Sequence, residues 1–505
     1  MKQLKIYFTS DLHGYIFPTD YRDETDKHLG LLKIASNFEK DGNTLILDGG
    51  DTIQGSPMMT YLCRFEQQIH PMATILNDVG YDFVTIGNHE FNYGFDYLKS
   101  YLNHLKPTCL CANIIDKTST LNIEPYAIKT LQNGLKVGVI GFTTDFIPIW
   151  EKPSNIVNIQ VLETFSTVKK IHDNLRDKVD ILIGLYHGGF ERDIITGNLL
   201  SVITENIGYK ICEELSFDLL LTGHQHMNIS PTLINKTYIV QPGHYANSYV
   251  KLDIEINEAN KIANVIGGLY PAGDTINTKL YETLLPLENE VQKWLDIPVG
   301  HLDVALEPTS HLQMALNGTY LANFINQVQL DYTGADISTT SFANSIKGFN
   351  KSVTIRDIVS TYVFSNTLKV LEVSGAVLKL ALEACARYFE IEDGQVVISK
   401  YFTYPKVCHY NYDYFSGIDY VFDLRNSVGS RVTSIKFKGQ EVSPDQTFTL
   451  AMNNYRATGV GDFEFYCNCK VIKDILIEIP EIIIEYFHKH QQVVVDKTKY
   501  YQVIV

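Results

Sequence analysis

The chain has 505 residues, 45% of them hydrophobic and 20% charged, and a formal net charge of −16. That composition fits two or three packed domains and excludes a disordered or fibrous chain. The acidic balance argues against nucleic acid or an anionic membrane as partner, since both are docked through clustered Lys and Arg. Along the first half, short apolar runs rich in β-branched residues alternate with amphipathic stretches. The runs are Leu4–Phe8, Thr44–Leu47, Phe83–Ile86, Val137–Ile140, Ile181–Leu185, Leu219–Leu221 and Tyr238–Val240. Helical spacing appears over Leu29–Phe38, Met72–Val79, Phe95–His104 and Leu162–Leu175. Strands alternating with helices predict an α/β layered fold.

A change follows residue 270. Tyr270–Asp274 reads as a turn, and Thr278–Leu295 as one exposed linking helix. The chain therefore divides into residues 1–270, a link over 271–299, and a second domain over 300–505. The opening Met1-Lys2-Gln3-Leu4 leads straight into an expected strand, without the n-region and h-region of a signal peptide. A cytoplasmic location is the expectation, or a secreted or cell-wall one if a leader was removed. No apolar run is long enough to span a bilayer. The eight cysteines form no disulfide framework in so long a chain and are expected as reduced thiols.

Most of the N-terminal strands run into a polar cluster. Leu4–Phe8 leads to Asp11 and His13, Thr44–Leu47 to Asp51, and Phe83–Ile86 to Asn88, His89 and Glu90. Ile181–Leu185 leads to His187, and Leu219–Leu221 to His224 and His226. Sites in open α/β sheets form at the carboxyl ends of strands, so five loops are expected to converge. Any one of these histidines alone is more often a hydrogen-bonded loop residue. Five together with Asp11, Asp51 and Asn88 point to a metal centre. Nitrogen and oxygen donors without thiolate suit Mn, Zn, Fe, Co or Mg. Eight candidate groups suit two ions, the arrangement that clamps the attacking and leaving oxygens of displacement at phosphorus.

These motifs, D-x-H, G-D, G-N-H-E, His-Gly-Gly and G-H-x-H, resemble the calcineurin-like metallophosphoesterases. The resemblance extends through the C-terminal half to the two-domain bacterial nucleotidases. It is nearest to their 2′,3′-cyclic-nucleotide 2′-phosphodiesterase/3′-nucleotidase branch, on Asn88–Gly94, Tyr362–Leu368, Tyr410–Asp413 and Met452–Arg456. It implies a four-layer α/β/β/α metallophosphoesterase domain followed by an α/β nucleotidase domain that binds substrate. It implies two divalent metal ions and nucleotide substrates. By the resemblance, Asp11, His13 and His226 hold one metal, Asn88, His187 and His224 the second, and Asp51 bridges them. His89 then faces the phosphate, stabilising charge or protonating the leaving group. The broader 5′-nucleotidase pattern has Asp three residues after this histidine, whereas here Asn92 stands there. An amide orients the ring without adding charge.

In the second half, the resemblance makes Phe364 and Tyr455 the two rings that sandwich the base, with Asn366 beside them. Asn344 and Lys347 stand where 5′-nucleotidases carry an Asn-Gly-Gly-x-Arg-like loop. Lys lacks the guanidinium fork, which weakens a strict 5′-monophosphate reading. Arg456 is another cation near the base clamp, and a surface salt bridge is at least as good a reading of it. The reaction expected is hydrolysis of a 2′,3′-cyclic nucleotide or 3′-nucleotide by a water activated between the metals. The alternatives are a 5′-nucleotidase, a UDP-sugar or dinucleotide pyrophosphatase, and a non-catalytic nucleotide-binding protein. Oligomeric state leaves no trace in the sequence.

Overall fold

A computed structural model describes residues 2–23, 25–65, 69–200, 204–364 and 366–505. The chain forms two compact units, Met1–Val291 and Gln292–Val505.

The first unit is built on two sheets. In spatial order the first contains Ile262–Pro271, Ser248–Ile256, Lys2–Thr9, Thr44–Asp48, Phe83–Val84, Thr108–Leu110 and Ile123–Glu124. From Lys2–Thr9 to Ile123–Glu124 the pairing is parallel. Ser248–Ile256 joins antiparallel at the other side. The second sheet runs Ile229–Ile234, Thr237–Gln241, Leu219–Thr222, Ile181–His187, Lys136–Thr143 and Tyr126–Thr130, with a parallel centre.

Alternation along the strands explains the layering. Leu4, Ile6 and Phe8 of one sheet share a core with Val137, Val139, Ile181, Ile183, Leu185, Leu219 and Leu221 of the other. The intervening Ile140, Phe142, Leu182, Tyr186 and Leu220 face outward onto Val168 and Leu175 of the helix Thr164–Leu175 and Ile211 of the helix Gly208–Glu214. Strands covered on both faces read as continuous apolar runs, and this is why the sequence shows runs rather than alternation. The first unit is thus a four-layer α/β/β/α sandwich.

Three expectations need correction. The strand expected over Phe83–Ile86 pairs only at Phe83–Val84, because Thr85 turns its Oγ1 onto the Leu110 carbonyl at 2.7 Å. Tyr270 and Pro271 are not a turn but the end of a strand, in register with Tyr249 and Ser248. The helix Thr278–Leu295 forms over the expected span, yet it is not exposed along its length. Leu280, Leu284, Val291 and Leu295 are buried, and Glu288 accepts from Tyr21 Oη at 3.1 Å.

The second unit holds a mixed five-stranded sheet in the order Tyr414–Ser416, Ile337–Thr340, Thr447–Asn453, Thr367–Ser374 and Lys470–Glu478. The helices Tyr320–Thr333 and Ile479–Lys489 belong to the same unit. A second sheet pairs Asp419–Asp423 with Val432–Phe437 and with the C-terminal strand Tyr501–Ile504. No helix among the described residues is long and apolar enough to cross a membrane. All eight cysteines are unpaired, with Cys109, Cys111, Cys212 and Cys385 buried.

Candidate metal centre

Three of the five loops at the carboxyl ends of the central strands turn through left-handed backbone at a site residue. Asp11, His13, Asp51, His224 and His226 all have φ between 48° and 69°. Left-handed backbone in non-glycine residues costs on the order of 1–3 kcal/mol each and persists where surrounding contacts impose it, often at functional sites. Gly50, at φ 88°, lets the Asp51 loop approach the Gly87 loop, for a Cβ there would lie 2.5 Å from Gly87 N. A Cβ on Gly87 would meet Asp51 Oδ1 at 2.2 Å and His187 Cε1 at 2.7 Å.

Two donor clusters result. Asp11, His13 and His226 form one, and Asp51, His187 and His224 the other, with the potential ligand atoms of each cluster lying within 4.8 Å of one another. His13 Nε2 lies 3.1 Å from His226 Nε2, which lies 3.4 Å from Asp11 Oδ1. In the second cluster His187 Nε2 is 3.1 Å from Asp51 Oδ2 and 3.2 Å from Asn88 Oδ1. His224 Nδ1 reaches the same Asn88 Oδ1 at 2.9 Å.

Hydrogen bonding on the far side of each ring decides what these atoms present. His13 Nδ1 faces the Gln54 carbonyl at 2.9 Å and His187 Nδ1 the Gly49 carbonyl at 2.7 Å. A carbonyl only accepts, so both Nδ1 atoms donate and both Nε2 atoms turn lone pairs inward. His224 Nε2 faces Glu205 Oε1 at 2.8 Å, leaving its Nδ1 inward. Lone pairs and carboxylate oxygens thus converge on one another, an arrangement that asks for cations between them. The donor set, nitrogen and oxygen without sulfur, fits divalent metals.

Electrostatics agree. Burial opposes the charge on Asp51, but His187 and His89 hold its carboxyl well below the ordinary range. Burial likewise opposes ionisation of Asp11, and the His226 hydrogen bond and charge carry its pKa down. Burial and the neighbouring His226 push His13 down to about 3, which keeps it neutral. At His187 burial is outweighed by the Asp51 charge and hydrogen bond, and its pKa rises to about 10. Without a cation a proton occupies that position, so cation binding there releases it.

Several further residues support the site without a role assigned to them from sequence. Glu90 lies fully buried, and its carboxylate accepts from the backbone N–H of Asp51 at 2.8 Å and Gly87 at 2.6 Å, with Thr52 and Ile53 as further donors. It clamps the two loops together. Glu205 buttresses His224, and the Trp150 ring stacks on His224 at 5.7 Å. His244 stacks on His226 at 4.5 Å. It follows the strand Thr237–Gln241 behind a glycine, the same strand-end signal that singled out the other histidines. His89 Nδ1 lies 2.6 Å from Asn92 Oδ1, and its backbone N–H donates to Asp51 Oδ1 at 2.8 Å.

In the second unit, Phe364 precedes the strand Thr367–Ser374 and Tyr455 follows its antiparallel neighbour Thr447–Asn453. The topology brings both to one end of the sheet, where Phe364 is 36% exposed and packs edge-on against Tyr410 at 6.4 Å. The Asn366 backbone carbonyl accepts from the Ile479 N–H at 2.9 Å. Lys347 is paired with buried Asp357 at 3.3 Å. Asn344 joins two loops, donating to the Val407 carbonyl at 2.9 Å and accepting from His409 N–H at 3.0 Å. Arg456 is not a surface residue. It is 1% exposed, bonds Asp413 through both Nε and Nη2, and stacks 4.0 Å from the Phe463 ring. Its Nη1 and Nη2 also donate to the Val460 and Tyr410 carbonyls at 2.8 and 2.9 Å.

The sandwich fold and the pair of donor clusters define a metal-dependent phosphoesterase of the calcineurin-like class. Residues 4–228 match the family described as calcineurin-like phosphoesterase, and residues 298–466 match the 5′-nucleotidase C-terminal domain. A candidate 5′-nucleotidase from Staphylococcus aureus, crystallised with alpha-ketoglutarate, is 34% identical with a TM-score of 0.90 over 100% of both chains. The chain belongs to the two-domain metallophosphoesterase/5′-nucleotidase family, whose members are hydrolases acting on nucleotides with divalent metals. Among curated relatives, the 2′,3′-cyclic-nucleotide 2′-phosphodiesterase/3′-nucleotidase of Salmonella typhimurium is 27% identical, covering 90% of this chain and 81% of its own. The trifunctional nucleotide phosphoesterase protein YfkN of Bacillus subtilis is 24% identical over 97% of this chain, which spans 38% of that relative's length.

Proposed function

We propose that the chain hydrolyses nucleotide phosphate esters with two divalent ions, acting as a 2′,3′-cyclic-nucleotide 2′-phosphodiesterase/3′-nucleotidase. One observation carries the reading: inward-facing nitrogens of His13, His187, His224 and His226 meet the oxygens of Asp11, Asp51 and Asn88. Asp11, His13 and His226 would hold one ion; Asn88, His187 and His224 the other; Asp51 is shared. Bound there, Mn, Zn, Fe, Co or Mg supplies charge neutralisation and an activated water for displacement at phosphorus. His89 stabilises the developing charge or protonates the leaving oxygen, and Asn92 orients its ring. Phe364 and Tyr455 stack on the base, with Asn366 supporting the loop that carries Phe364. Stacking tolerates any base, so broad base preference is expected.

The activities for which the Salmonella relative is named support the cyclic and 3′ reading. The pairing of Lys347 with Asp357 also supports it, because it withdraws the one cation of the Asn344–Gly348 loop from a 5′-phosphate. The 5′-nucleotidase reading has its own support in the 34% identical Staphylococcus aureus protein. A panel of 2′,3′-cyclic, 3′- and 5′-nucleotides and UDP-sugars, assayed with each metal in turn, tests the choice. Turnover of the cyclic and 3′ esters above the others is expected. Exclusive turnover of 5′-monophosphates sinks the assignment.

A further inference from the structure

His89 and Asn92 lie at the two ends of one short 3₁₀ turn, and behind Asn92 stands a carboxylate from a distant part of the chain. Glu151 caps the helix Ile147–Trp150 and is 9% exposed. Its Oε2 accepts from Asn92 Nδ2 at 2.6 Å. Its Oε1 is held by two donors, the Lys152 backbone N–H at 2.7 Å and Asn155 Nδ2 at 2.9 Å. Asn155 Nδ2 also donates to the Asn92 backbone carbonyl at 2.9 Å. The His89, Asn92 and Glu151 side chains therefore form a line of hydrogen bonds with its far end fixed.

We propose that Glu151 is a positioning residue for His89, acting through the Asn92 amide. A carboxylate only accepts hydrogen bonds. Asn92 must therefore turn its NH2 towards Glu151 and its carbonyl towards His89. His89 in turn donates from Nδ1, and Nε2 is the nitrogen left for substrate. The His13 ring lies 5.4 Å from that of His89, edge to face. The negative charge that related enzymes place beside the histidine is thus set one residue further out, with the amide as relay. This rests on phosphate-ester hydrolysis by the chain and on no particular nucleotide.

The hydrogen bonds dictate the test. In Glu151→Gln, Lys152 N–H and Asn155 both donate, so the new amide must present its oxygen to them and its NH2 to Asn92. The Asn92 amide then reverses, its NH2 faces His89 Nδ1, and the ring switches to the Nε2–H tautomer. Asn92→Asp alone sets two carboxylates against each other. The double variant Asn92→Asp/Glu151→Gln restores every donor and acceptor with the charge moved beside the ring.

The measurements are kcat and KM on phenyl and p-nitrophenyl phosphate, and long-range 1H–15N spectra of histidine-labelled protein with His89 assigned by His89→Ala. In Glu151→Gln, kcat on phenyl phosphate falls about tenfold or more, as for loss of a supporting carboxylate. The p-nitrophenyl ester, whose leaving oxygen needs no proton, loses much less, and KM changes little. The His89 tautomer reverses in that variant, and the double variant recovers both tautomer and rate. The proposal is overturned if the tautomer stays unchanged in Glu151→Gln, if both esters slow equally, or if a folded double variant stays slow. Should Glu151→Gln fail to fold, the double variant, which keeps each hydrogen bond, decides by rate and tautomer. Because both esters are synthetic, failure of the nucleotide assignment leaves this result readable, and the converse also holds.

Discussion

The two units handle buried polarity in opposite ways. In the second, Arg456 and Asp413 lie fully buried but complete each other, and Lys347 and Asn344 are likewise engaged by protein partners. In the first, the far nitrogens of His13, His187 and His224 are tied to carbonyls or Glu205, while their near nitrogens point at one another and at carboxylates. A polar cluster that closes on itself is architecture. One that leaves acceptor facing acceptor is waiting for a cation. The difference lies in donor and acceptor count, not in burial.

The largest effect should come from removing the oxygen on which the second cluster depends. Asp51→Ala should lower kcat/KM by about 10³-fold, the several kcal/mol supplied by metal-assisted charge stabilisation, with metal loss seen by elemental analysis. Wild-type activity in that variant breaks the comparison. Arg456→Met should destabilise the second unit by about 3–5 kcal/mol, the cost of stranding one member of a buried ion pair, as read by urea denaturation. Replacing both partners with apolar residues should recover most of it, since a closed cluster needs no ligand.

A smaller effect is expected from the ligand's support. Glu205→Gln should weaken metal affinity or activity about 10–100-fold, measured by titration of the metal-free protein. The smallest concerns pH. Burial pushes His70 down to about 3, where its Nδ1 accepts from Met72 N–H at 3.3 Å. A depressed folded pKa means that only the unfolded chain takes up the proton as pH falls below 6.5. Stability is therefore present above that value and is lost as pH drops towards 3, by about 2 kcal/mol at pH 5. His70→Asn keeps a capping oxygen and should flatten that slope between pH 7 and 5, even though its baseline stability is lower.

Much of the site was legible because strand-end motifs need no long-range knowledge. Asp11, Asp51, His187 and His224 each follow an apolar run, and parallel strands put all such ends on one edge. His244 obeys the same rule, behind Pro242 and Gly243 after the strand Thr237–Gln241, yet it has no role in the sequence reading. Glu90 looked like part of a motif, yet its role as acceptor for four backbone N–H groups depends on where the Asp51 and Gly87 loops meet. Glu205, Glu151 and Trp150 carry no local signature at all, lying in loops or helix ends whose neighbours are remote in sequence. Neither sequence reading of Arg456, a cation near the base clamp or a surface salt bridge, anticipates its burial, because a lone arginine between Tyr and Ala says nothing of the Asp413 it meets.

What the sequence by itself determined is the period and order of its elements: buried parallel strands, the helix Thr278–Leu295, and the type of donor offered at each strand end. Those follow from local side-chain pattern and from chemistry each residue carries alone. Only the tertiary structure decided which nitrogen of each imidazole points inward, which carboxylate stands behind Asn92, and which polar groups are already satisfied. A hydrogen bond needs two partners in one place, and nothing in a one-dimensional pattern says which distant residue will be the second.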